Sequence, residues 1–370
     1  MNLNSLKNLN YPILIITLVL ISLGLLVIFS VSYGHGDLDL ENFKKQAIFA
    51  AIGIIVMFLI SFFDYRFLKN YIALLYLTGI TLLAAVLLIG DYSRGMSGWI
   101  DLGFFHFQPS ELMKIILIIV LARYFSFFSN KLFEFKKIVI SGICVGIPVV
   151  LTLFQPDLGS AAIMVFVWLG MLVAAGVKTS HLLVIFLAGA LIFAGGWAFV
   201  LKDYQKDRIV TFLNPQADPL GSGYNVIQSV IAVGSGGILG KGLGHGSQSQ
   251  LNFLPEKHTD FIFAVLAEEM GLTGVIFLLA LFAALISKLT DVALSVQDNF
   301  GKMLVIGTVI LLFSHIVINI GMNMGIAPVT GIPLPFISYG GSFLISILIM
   351  LGIVQSVAMK GVKYKLKEEE

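Results

Sequence analysis

The stretch Leu254-Pro255-Glu256-Lys257-His258-Thr259-Asp260-Phe261-Ile262-Phe263 sets four ionisable side chains directly before an apolar run, in a chain that is only 12% charged. A carboxylate at such a boundary can accept a proton from an attacking hydroxyl, and a neighbouring ammonium can balance charge on a departing anion. Asp260 is the candidate proton acceptor, with Glu256, Lys257 and His258 as candidate substrate contacts. Of the 6 histidines, His258 is set apart by having Asp260 two residues away. His35, His106, His181, His245 and His315 lack a partner at i+3 or i+4 that would make a metal pair, and read as ordinary surface or packed residues. No lysine has a serine three residues before it, which argues against covalent serine chemistry of the S-x-x-K type.

A second charged pair, Glu111 and Lys114, has the i,i+3 spacing that stacks two side chains on one helix face. A charge at the centre of a bilayer costs roughly 2.5–3.5 kcal/mol on insertion scales. The pair therefore reads either as an ion pair locking two helices or as a site for an anionic substrate. Asp157, in Gln155-Pro156-Asp157, sits at a tight turn where capping and functional roles compete. On one continuous helix, Glu268 and Glu269 would lie roughly 12–14 Å beyond Asp260, and they read as structural hydrogen-bonding groups.

The elements that position these groups must be membrane helices. A hydrophobic fraction of 58% and a mean hydropathy of +0.97 lie far outside the range of a soluble domain. Apolar runs of spanning length near 11–31, 46–63, 71–90, 110–128, 137–154, 156–176, 181–201, 260–287, 302–322 and 339–359 predict an all-α polytopic membrane protein of about ten helices, a single unit over 1–370. The first run has no cleavage site after it and reads as a retained helix. The single cysteine, Cys144, excludes disulfides, and a formal charge of +2 gives no reason to expect nucleic acid as a partner.

Lysines and arginines orient the bundle. With the N-terminus inside, 14 of the 23 fall in cytoplasmic segments, so both termini are expected in the cytoplasm. A long loop over 202–259 and the acidic stretch then face outward. The loop is rich in glycine, including Gly234, Gly236, Gly237, Gly240 and Gly242. Ser235 and Gly242 stand where a phosphate-binding loop needs Gly and Ser or Thr, so the glycines read as turns and tight packing. Tyr224 to Val233 reads as a short amphipathic helix on the bilayer, and Lys365 to Glu370 as a solvated tail. The segment 303–359 has no Asp, Glu, Lys or Arg, yet its glycines and prolines, from Gly325 through Pro328, Gly331, Pro333 and Pro335 to Gly341, interrupt any helix. Such backbone is expected to fold back on the bundle and line a groove with apolar walls and a charged mouth. That shape suits a long lipid tail with an anionic, sugar-bearing head.

Several blocks carry a family resemblance: Gly98-Trp99-Ile100-Asp101-Leu102-Gly103, Phe107-Gln108-Pro109-Ser110-Glu111-Leu112-Met113-Lys114, Gln155-Pro156-Asp157-Leu158-Gly159, Asn214-Pro215 with Asp218-Pro219, the acidic stretch, and Pro335-Phe336-Ile337-Ser338-Tyr339-Gly340-Gly341-Ser342. Together they resemble the signature blocks of the SEDS (shape, elongation, division, sporulation) family. Ser247-Gln248-Ser249-Gln250-Leu251 and Gly331-Ile332-Pro333-Leu334-Pro335 are more similar to its elongation branch than to its division branch.

The resemblance implies a peptidoglycan glycosyltransferase of the bacterial cytoplasmic (inner) membrane. It would polymerise lipid II on the outer face, beside a class B penicillin-binding protein that supplies the transpeptidase and within the elongation machinery. It also implies that Asp260 is catalytic. Lys114, Arg208 and Lys257 are the nearest cations for the diphosphate leaving group, and a divalent cation such as Mg2+ could share that task. A lipid II flippase and a non-catalytic scaffold for the transpeptidase are the alternative functions.

Overall fold

The computed structural model describes residues 9–32, 40–93, 96–101, 103, 106–127, 134–199, 206, 210–212, 214, 223–251, 253–254 and 256–361. Arg208, His35 and the tail from Lys365 to Glu370 lie outside the described residues.

The described chain is almost entirely helical. Helices α1 (Tyr11–Ser32), α2 (Glu41–Phe62) and α3 (Ile72–Ile89) lead to a small antiparallel sheet of β1 (Asp91–Ser93), β2 (Met96–Asp101) and β3 (His106–Phe107) in the order β1-β2-β3. Then come α4 (Pro109–Ser126), α5 (Phe135–Phe154), α6 (Leu158–Ala174) and α7 (Thr179–Phe199). The long loop contributes α8 (Tyr224–Ser235) and the single turn α9 (Ser247–Gln250), and the chain ends with α10 (Ile262–Ser295), α11 (Asn299–Asn323) and α12 (Gly341–Gly361).

Seven of these helices (α1, α2, α3, α5, α10, α11 and α12) are long and apolar enough to cross a membrane. The other three anticipated runs are also helical. They differ in that α4 carries Glu111, Lys114 and Arg123 and α6 has 17 residues, while α7 runs over 21 residues. Helix α2 begins earlier than its apolar run, at Glu41, so that Lys44 and Lys45 lie in its first turns, with Lys45 paired to Glu41 at i,i+4 and 2.5 Å.

Small residues let the spans approach closely. The most extensive packing is between α2 and α12, where a Cβ on Gly352 would lie 2.8 Å from the Met57 carbonyl oxygen and Gly53 faces Leu348. Helix α11 touches α4, α6, α10 and α12, and with α12 it is the most buried of the seven spans. Helix α7 instead presents Leu183, Val184, Phe186, Leu187 and Leu191 outward. At the α10–α11 turn, Asp298 caps α11 through the Gly301 N–H (3.2 Å) and holds Lys69 (3.1 Å) and the Tyr65 hydroxyl (3.2 Å). Burial would push its carboxyl up, but the Lys69 ammonium and these hydrogen bonds outweigh burial and hold it below the usual aspartate range.

Helix α10 departs from the expected continuous 260–287 span. It breaks at Gly271, whose φ of 63° and ψ of −165° are non-helical. An unbroken helix would pair the N–H groups of Leu272 and Thr273 with the carbonyls of Glu268 and Glu269. Instead the glycine-rich loop takes over all four groups. Lys241 N–H donates to the Glu268 carbonyl and Gly242 N–H to the Glu269 carbonyl, both at 3.0 Å. Leu272 N–H donates to Gly237 (2.9 Å) and Thr273 N–H to Ile238 (3.1 Å). A Cβ on Gly240 would strike the Glu269 carbonyl, and one on Gly271 would strike the Gly240 nitrogen, so both positions exclude any larger residue.

Candidate functional site

The acidic turn 256–260 leads into the first segment of α10. Three consecutive carbonyls of this turn are held by donors from distant parts of the chain. His258 O accepts from Tyr339 N–H (2.8 Å), and Thr259 O accepts from the Ser338 hydroxyl (2.7 Å). Asp260 O accepts from the side-chain amides of Asn319 (3.0 Å) and Asn323 (2.9 Å). A backbone gripped at three successive residues fixes the Asp260 Cα and the direction of its Cα–Cβ bond, and with them the region its carboxylate can reach.

The loop between α11 and α12 forms the other wall. Gly331, at φ 70°, lies against the carboxylate, with Asp260 Oδ2 3.5 Å from where its Cβ would stand. On its far side the loop abuts α6, since a Cβ on Gly159 would meet the Thr330 carbonyl oxygen at 2.5 Å. Gln46 of α2 clasps the loop's end, donating to Ser338 O and accepting from Gly340 N–H, both at 3.1 Å. The expected fold-back of the loop is therefore observed, and the wall it builds is the one facing Asp260.

Lys257 reaches back to the long loop, where its ammonium donates to Ser249 O at 2.8 Å. Burial pushes its pKa down, and the charge of Glu269 partly restores it. Glu256 is exposed and accepts from the Thr259 hydroxyl at 3.2 Å. Glu268 and Glu269 make structural hydrogen bonds, as expected. Glu269 accepts from Ser30 (2.5 Å), two residues from the end of α1. Glu268 pairs with Lys241 (2.8 Å) and accepts the Gln248 and Ser249 N–H groups at the start of α9. The two glutamates thus staple the long loop to the helix that carries Asp260.

Glu111 and Lys114 form a 2.7 Å ion pair with side chains only 6% and 2% exposed. His315 of α11 completes the group, with Nε2 3.4 Å from Lys114 Nζ and Nδ1 3.2 Å from Pro333 O. Reading His315 as an ordinary packed residue is corrected here. It is buried, but it joins the ion pair to the loop that walls Asp260. A proton on Nδ1 satisfies Pro333 O and leaves Nε2 as an acceptor for the ammonium. Asp157 does cap α6, taking the Ser160 N–H at 2.9 Å, and its second oxygen accepts from Gln108 at 3.2 Å. Among the described residues no three His, Cys, Asp or Glu side chains are placed to hold a metal ion, so the anticipated divalent cation lacks such a ligand set here.

A family model described as "Cell cycle protein", FtsW/RodA/SpoVE, matches residues 11–363. The chain belongs to this family. It is 40% identical to peptidoglycan glycosyltransferase MrdB of Escherichia coli K12, over 95% of this chain and 93% of that one. It is 30% identical to peptidoglycan glycosyltransferase RodA of Treponema pallidum, covering 96% and 99%. Among solved structures, it superposes with a TM-score of 0.79 and 33% identity on a chain from work on structural coordination of polymerization and crosslinking by a peptidoglycan synthase complex, covering 95% and 97%. The rod shape determining protein RodA of Thermus thermophilus matches with a TM-score of 0.71 and 28% identity, covering 95% and 97%.

This SEDS chain also uses residues that its charged motifs do not announce. His315, Asn319 and Asn323 recur every four residues, a spacing that places them on one face of α11, and each bonds the loop or the acidic turn. That H-x-x-x-N-x-x-x-N spacing, inside a segment without Asp, Glu, Lys or Arg, was the available sequence signal.

Proposed function

We propose that this chain is a peptidoglycan glycosyltransferase that polymerises lipid II in cell-wall elongation, with Asp260 as general base. The observation that carries the assignment of the base is the threefold grip on the His258, Thr259 and Asp260 carbonyls, which holds one carboxylate beside the loop at Gly331. In the step, Asp260 takes the proton of an acceptor sugar hydroxyl as its oxygen bonds to the donor's anomeric carbon, and the bond from that carbon to the lipid diphosphate breaks. Lys257 is the described cation on the same turn and is the candidate to balance the leaving group. Glu111, Lys114 and Asp157 act one layer away, by holding the walls. The outward apolar side chains of α7 suit contact with lipid tails.

The chain sits in the bacterial inner membrane with both termini cytoplasmic and Asp260 on the outer face. There a class B penicillin-binding protein crosslinks the strands that it makes. The test is glycan formation from lipid II by purified protein with that partner present. Asp260→Asn keeps the side chain's size but cannot take the proton, so turnover should fall by about 10²–10⁴-fold with normal membrane insertion. Near-normal strands from the variant would remove the base assignment, and no polymer from the wild type would favour a flippase.

A further inference from the structure

The polar face of α11 does more than fill space between helices. Asn319 and Asn323 are both fully buried, and both direct an amide donor at one oxygen, the Asp260 carbonyl. Asn319 also donates to Ile332 O at 2.8 Å, tying the wall that faces the carboxylate to the same side chain. Asn323 accepts from the Ala264 N–H (3.2 Å), in the first turn of α10, and from the Ser229 hydroxyl of α8 (3.2 Å). Leaving two primary amides in an apolar span costs free energy unless their donors and acceptors are met, and here they are met by the acidic turn and its neighbours.

From this geometry we infer that Asn319 and Asn323 are positioning residues for the Asp260 carboxylate, clamping its backbone to α11 and fixing its height against the loop at Gly331. This rests on the reading of Asp260 as the base. The amides touch the carbonyl and not the carboxylate, so they act through aim rather than through proton affinity. A base displaced by about 1 Å from its line of attack can lose on the order of 10²-fold in rate, with substrate binding spared.

The experiment measures initial rates of lipid II polymerisation by the purified full chain with its transpeptidase partner, at matched amounts of monodisperse protein. Asn319→Ala and Asn323→Ala are each made in the wild type and in Asp260→Asn, with Thr308→Ala as a control on the same helix, where the hydroxyl donates to Leu304 O and not to the acidic turn. In the wild-type background each asparagine change should lower kcat by about 10–100-fold with KM altered by less than about threefold. In Asp260→Asn the same changes should cost little more, because there is no base left to aim. Thr308→Ala should retain kcat.

An equal fractional loss in both backgrounds would make the asparagines merely structural and overturn the inference, as would an unchanged kcat in the wild-type background. A fully active Asp260→Asn would instead remove the base, whatever the asparagines do. Should Asn323→Ala not yield folded protein, Asn319→Ala tests the same oxygen from the other side.

Discussion

Glu111 and Lys114 show how a residue pair can be recognised in sequence while its neighbourhood is not. Their spacing announces an ion pair, and the 2.7 Å contact realises it. The third member, His315, lies 201 residues away, and no local pattern links it to Lys114. The structure gives the pair mutual satisfaction in a dry setting, where removing one partner of a buried ion pair typically costs about 3–5 kcal/mol. Glu111→Gln and Lys114→Met should therefore each lower folded yield and polymerisation sharply, and the double variant should regain much of the yield. If activity returns with it, the pair is structural; if yield returns without activity, Lys114 also serves the substrate. Wild-type behaviour of both single variants would refute either role. Asp260 itself was legible because charge is scarce in this chain, whereas Asn319 and Asn323 were not, since neutral amides in an apolar run leave hydropathy almost unchanged.

Among the elements, the spans were legible because bilayer thickness sets a minimum apolar length. The break in α10 was not legible. Apolar residues continue through it, and a glycine within such a run is common in membrane helices. Its backbone conformation belongs to a region open essentially only to glycine, worth on the order of 1–3 kcal/mol to any other residue. Gly271→Ala should add to that strain a clash with the Gly240 nitrogen and the Ile238 carbonyl, freeing the glycine loop from both halves of the helix. We expect a lower midpoint of thermal unfolding in detergent and a loss of polymerisation. Gly189→Ala in α7, where an added Cβ meets nothing within 4 Å, should leave both unchanged. Equal behaviour of the two variants would mean that the joint bears no strain.

For the molecule as a whole, the proposed orientation follows from the 14 positive charges assigned to one side. An enzyme reporter that works only outside the cytoplasm should be active when fused after Gly223 and silent when fused after Lys360. The reverse pattern would place Asp260 on the cytoplasmic side, away from the polymerisation proposed for it.

The grip on the acidic turn also fixes when in the life of the chain a working centre can exist. Asp260 waits for amides 59 and 63 residues downstream, and Gln46 must find Ser338 across 292 positions. Glu269 needs Ser30, made 239 residues before it. A nascent chain that has threaded its long loop across the bilayer therefore still holds an unaimed carboxylate, until the α11–α12 hairpin inserts and closes the assembly from its C-terminal side. Synthesis and membrane insertion can thus run nearly to completion before the chain is competent to join sugars, and a product truncated before α11 would carry the whole acidic motif and remain inert.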